Sequence, residues 1–127
     1  KEDFGFTDNA VEDVQGNLYS GNDVLMFYGD RYWTSSGFIE FYCGGDYRAL
    51  SFTLVPETNF SSTSAITIEI LTDDASKKAI KVTQKMEATQ VDVDITGCQW
   101  LQIKASPIEG IDSEYTTVIL ANPVVKK

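Results

Sequence analysis

Apolar and polar residues alternate with a period of two along most of this chain. "ALSFTLV" (Ala49–Val55) puts Leu50, Phe52 and Leu54 on one face. "AITIEIL" does the same with Ile66, Ile68 and Ile70, and "QVDVDI" with Val91, Val93 and Ile95. "WLQIKA" aligns Leu101, Ile103 and Ala105 and leaves Trp100 on the opposite parity, either on an outer face or folded over a barrel end. "DVLMFYG" (Asp23–Gly29), "GFIEFYC" (Gly37–Cys43) and "TTVILANPVV" are further short runs rich in Val, Ile, Phe and Tyr. Such runs are half-buried strands. "AIKVTQ" joins Ile80 to Val82; its β-branched residues disfavour a helix, and it is expected to form a hairpin with "QVDVDI". Turn signals separate the runs at Gly44–Gly45, "TDDAS" (Thr72–Ser76), Thr96–Gly97 and "SPIEGIDSE". The pattern predicts an all-β fold, an antiparallel β-sandwich or jelly roll of about eight strands.

The 127 residues make one domain, 1–127, long enough to bury a core. Residues 1–20 are acidic and weakly periodic, an irregular lead-in or an edge strand. No internal repeat interrupts the pattern. The chain opens at Lys1 with no signal-peptide pattern, which reads as a mature protein or an excised fragment.

A net charge of −9 argues against nucleic acid and anionic membrane surfaces as partners, because both need clustered Lys and Arg. No apolar run approaches the ~18 residues of a membrane span, so no membrane insertion is expected. The absence of histidine removes the commonest general base and metal ligand. Cys43 and Cys98 are too far apart for a C-x-x-C motif and read as two buried free thiols, with a disulfide as the alternative in an oxidising compartment.

Candidate chemistry is sparse. "DVDITG" starts like a calcium-binding loop, but its twelfth position is Ile103, so Asp92 and Asp94 read as the solvent face of a strand. No carboxylate pair is marked for glycoside hydrolysis, and no Ser has a His for a triad, so an enzyme is not expected. Glu109, Asp112 and Glu114 share one loop; they offer oxygen ligands to a structural Ca²⁺, or they form a solvated acidic loop. Otherwise no cofactor is expected. Asn59 heads an "NFS" sequon. "RYWTSS" sets Arg31, Tyr32, Trp33 and Thr34 around one turn. An exposed indole there would stack on the C–H face of a pyranose while polar neighbours bond its hydroxyls. A buried one would cap the core.

Three segments together resemble the NPCBM family (novel putative carbohydrate-binding module). In "WTSSGFIEFYCGGDYRALSFTLVP" the matching positions are Gly45, Tyr47, Leu50 and Phe52. In "VDVDITGCQWLQIKA" they are Val93, Asp94, Ile95, Thr96, Gly97, Leu101 and Ile103. "VILANPVV" matches through Ala121 and Asn122. The resemblance implies a galactose-binding-like jelly roll and a non-catalytic carbohydrate-binding role. It departs from larger members, which carry a Gly-x-His segment and a His- and Trp-bearing run; here those places read "YWTSSGF" and "SEYTTVIL". A pocket would instead use Trp33, Tyr32, Arg31, Thr34, Glu109, Asp112 and Tyr115. The expected function is weak binding of a neutral glycan or polysaccharide at one end of the sandwich. The module would belong to a larger multidomain bacterial protein that is extracellular or on the cell surface. The alternative is a structural or protein-interaction module that has lost the sugar pocket.

Overall fold

A computed structural model describes residues 4–7, 11–12, 18–19, 24–27, 37–58, 60, 65–107 and 117–127. Among them two antiparallel sheets face each other. The first is ordered β1 (Phe4–Thr7), β4 (Val24–Phe27), β11 (Val118–Lys126), β6 (Ala49–Pro56), β9 (Thr89–Asp94). The second is ordered β5 (Gly37–Tyr42), β10 (Trp100–Pro107), β7 (Ile66–Thr72), β8 (Ala75–Val82). A small ribbon pairs β2 (Val11–Glu12) with β3 (Leu18–Tyr19). The jelly-roll sandwich expected from the alternation is the fold that forms. The lead-in contributes β1, an edge strand on β4.

The core lies between the sheets, where the predicted inward rows meet. Leu50, Phe52 and Leu54 of β6 and Val91 and Val93 of β9 come from one sheet. Ile66, Ile68 and Ile70 of β7 and Leu101, Ile103 and Ala105 of β10 come from the other. Alternation breaks down in "VLMF" and "VILA", and for a physical reason: β4 and the start of β11 are buried on both faces. Leu25, Phe27, Val118 and Leu120 enter the main core, while Val24, Met26, Ile119 and Ala121 join Val55 in a second buried cluster. Asp92 and Asp94 are exposed between buried Val91, Val93 and Ile95, so "DVDITG" is a strand and its turn rather than a metal loop. Asp94 Oδ1 accepts from the backbone N–H and the hydroxyl of Thr96 (3.0 and 2.6 Å) and shapes that turn.

One pairing differs from expectation. β8 does not form a hairpin with β9; it pairs with β7, and β9 pairs with β6 in the opposite sheet. Val82 and Ile80 register on Ile66 and Ile68, extending one inward row across the turn at Asp73–Asp74. Residues 83–88 then cross between the sheets. The Met86 N–H donates to the Thr83 carbonyl (3.1 Å), and the Met86 side chain packs on the core.

Cys43 and Cys98 are buried and unbridged, as two free thiols. Burial pushes the Cys98 thiol up to about 11, with the adjacent Cys43 adding to the effect, and raises Cys43 as well. Among the described residues no helix is long and apolar enough to cross a membrane.

Candidate functional site

The residues expected to bind a ligand, Arg31, Tyr32, Trp33, Thr34, Glu109, Asp112 and Tyr115, lie outside the described residues. So do the calcium candidates Glu109, Asp112 and Glu114, and the sequon Asn59. Within the described residues the chemistry gathers on the outer face of the four-stranded sheet, at the start of β10.

Strand parity builds this site. Leu101 and Ile103 point inward, so Trp100, Gln102 and Lys104 point outward. β5 runs antiparallel beside them, with Trp100 opposite Tyr42, Gln102 opposite Glu40 and Lys104 opposite Phe38. The outer face therefore carries three exposed aromatics: Tyr42 (65%), Trp100 (49%) and Phe38 (49%). Tyr42 and Trp100 meet edge to face, with ring centroids 5.1 Å apart and planes at 62°. The next rung is polar: Gln102 Nε2 donates to Glu40 Oε2 at 2.9 Å.

Two glycines end β5 behind the aromatic pair. Gly44 and Gly45 have φ of 63° and 80°. Their N–H groups and that of Cys43 donate to the carbonyls of Gln99 and Cys98. A Cβ on Gly44 would stand 3.2 Å from Cε2 of Tyr42 and push the ring back by a few tenths of an ångström, while the left-handed backbone there itself favours glycine.

The β7–β8 turn closes the other side. Asp73 and Asp74 both adopt left-handed backbone, φ 49° and 69°. The Asp73 N–H donates to the Trp100 carbonyl (2.9 Å), and its carboxylate accepts from the backbone N–H groups of Trp100 (2.8 Å) and Gln99 (3.1 Å). Those two N–H groups, Trp100 first, hold the Asp73 carboxyl below its usual range. Glu40, Asp73, Asp74, Trp100 and Gln102 line a shallow cavity of about 260 Å³. The combination is an apolar aromatic wall beside acceptors and an amide donor, which suits a ligand with both C–H faces and hydroxyls. Asp73 is shifted in the wrong direction for the general acid of glycoside hydrolysis, which needs a raised value. Among the described residues no group of three or more His, Cys, Asp or Glu is arranged to hold a metal.

A larger cavity of about 420 Å³ opens between the sheets near the β11 bulge. Core side chains such as Leu25, Phe41, Leu50 and Leu101 line it together with Val124 and Val125. It lacks the array of polar side chains found around Trp100.

Sequence reasoning placed Trp100 on an outer face or over a barrel end, and the outer face is where it stands. It missed Tyr42, Glu40, Gln102 and Asp73. Glu40 inside "GFIEFYC" was the available signal. A lone carboxylate in an apolar run marks the solvent parity, and Phe38 and Tyr42 share it.

No protein-family model matches the sequence, and no curated protein matches it. Solved structures do. One is CBM51-2 with GlcNAc and INT domains from Clostridium perfringens ZmpB (TM-score 0.74, 7% identity). That match covers 100% of this chain and 28% of that one, so this chain spans little more than a quarter of that structure. The CBM51 of C. perfringens GH95 with methyl-galactose has a TM-score of 0.68 at 11% identity, covering 99% and 89%. Tandem CBM51 modules of the Streptococcus pneumoniae glycoside hydrolase Sp3GH98 give 0.70 at 14%, covering 92% and 35%. At these identities the likeness shows the fold alone, a two-sheet antiparallel β-sandwich.

Proposed function

We propose that this chain is a non-catalytic carbohydrate-binding module whose binding face includes the Tyr42–Trp100 platform. The observation that carries the reading is this outward aromatic pair flanked by Glu40 and Gln102. The half-exposed indole beside the exposed phenol offers a flat apolar surface, and the pyranose C–H face is a fitting partner. Glu40 and Gln102 would then bond the ring hydroxyls. The fold it shares with CBM51 structures supports the same role. Carboxylates around the platform disfavour acidic sugars and accept uncharged ones. Single-site binding is expected to be weak, because a sugar must displace ordered water. Tandem modules or a polymeric ligand would supply avidity. The reading implies a place outside a bacterial cell, in a larger multidomain protein.

A glycan array probed with a multivalent form, with and without Ca²⁺, tests this. Binding to a related set of glycans that Trp100→Ala removes is the expected result. Loss with Trp33→Ala but not Trp100→Ala would move the site to Trp33, Tyr32, Arg31, Thr34, Glu109, Asp112 and Tyr115. Dependence on Ca²⁺ would bring in Glu109, Asp112 and Glu114. A blank array from folded protein would favour the structural or protein-interaction alternative.

A further inference from the structure

We propose that the cleft beside Trp100 prefers a glycan bearing a free protonated amine, a de-N-acetylated hexosamine, over its neutral or N-acetylated counterpart. The inference rests on the carbohydrate-binding reading above and names the sugar class for the same face.

Charge complementarity carries it. Among the described residues the cavity wall comprises one indole, one amide and three carboxylates, from Glu40, Asp73 and Asp74, and no Lys or Arg contributes to it. On β10 itself Lys104 stands opposite Phe38 on β5 and Glu69 on β7, one rung beyond Gln102. An ammonium placed over the exposed Trp100 ring gains from the indole quadrupole. The same group can donate charge-assisted hydrogen bonds to the carboxylates around it. A hydroxyl at that position gains neither charge term. An acetamido group has one N–H donor where the ammonium has three, and it carries no charge. Asp73 is tied to backbone N–H groups and stays ionised into acid, where amino sugars are fully protonated. The chain's net charge of −9 adds a long-range field of the same sign.

The test is calorimetric titration of the full chain with four-residue oligomers of β-1,4-linked glucosamine, N-acetylglucosamine and glucose, and with tetralysine. The glucosamine oligomer should bind about tenfold more tightly than either neutral oligomer. The gap should shrink as salt is raised. Glu40→Gln and Asp74→Asn should each weaken glucosamine binding about two- to fivefold and leave the neutral oligomers unchanged. Asp74→Asn keeps a residue that tolerates left-handed backbone, so the turn survives. Equal affinity for the three saccharides would overturn the amine preference and leave the platform reading standing. No binding of any of the three oligomers would overturn the amine preference, and the glycan array decides the platform reading separately. Tetralysine binding as tightly as the glucosamine oligomer would overturn recognition of a sugar, leaving an acidic patch for any polycation.

Discussion

Asp73 accepts from two backbone N–H groups and donates its own to the Trp100 carbonyl, so a single turn residue fixes where β10 begins. This predicts a pH dependence with a definite sign. The folded-state carboxyl sits below the ordinary value of about 3.9. Its contribution is therefore complete above about pH 4 and disappears as the pH falls through the folded-state value. Asp94, held low chiefly by the Thr96 hydroxyl, acts in the same window and the same sense. Melting temperature measured from about pH 6 down to about pH 2 should fall more steeply in the native sequence than in an Asp73→Asn, Asp94→Asn variant. Parallel curves would mean that these contacts do not discriminate folded from unfolded chain.

β10 separates core-facing from outward side chains by single-residue parity. Leu101 is buried in the core and Trp100 is half exposed beside it. Leu101→Ala should cost about 2 to 5 kcal/mol, through lost burial and the cavity left behind. Trp100→Ala should cost about 1 kcal/mol, chiefly its edge contact with Tyr42, yet remove glycan binding. Denaturant melts of the two variants beside a binding assay check the contrast. That parity was legible in the sequence because Leu101, Ile103 and Ala105 repeat cleanly at period two. The partner of β8 was not, since a period-two row fits any neighbour. What decides it is the Asp73–Asp74 turn, where two aspartates take a backbone more usual for Asn-Gly. The proposed binding face was only half legible for a related reason. "GFIEFYC" has apolar residues on both parities, so the outward set of Phe38, Glu40 and Tyr42 emerges only when β10 lies beside it.

At the scale of the molecule, one edge of the sandwich ends in β8, with no further strand beyond it in its sheet among the described residues. Val82, Ile80 and Lys78 register in turn on Ile66, Ile68 and Ile70, so the row that begins inside the core finishes on an exposed lysine. Lys77 and Lys81 are exposed on the same strand. A charge on the core-side row of an edge strand obstructs a second copy from adding its own strand there. Lys78→Val should leave the thermal melt nearly unchanged but promote concentration-dependent association, read by light scattering. Unchanged scattering would show that the edge is guarded by other means. On the proposed glycan-binding reading, in which repetition supplies avidity, that lysine would have a practical meaning. Many copies would then crowd along one polysaccharide, or sit in series on one polypeptide, and remain separate beads rather than zipping into a fibre.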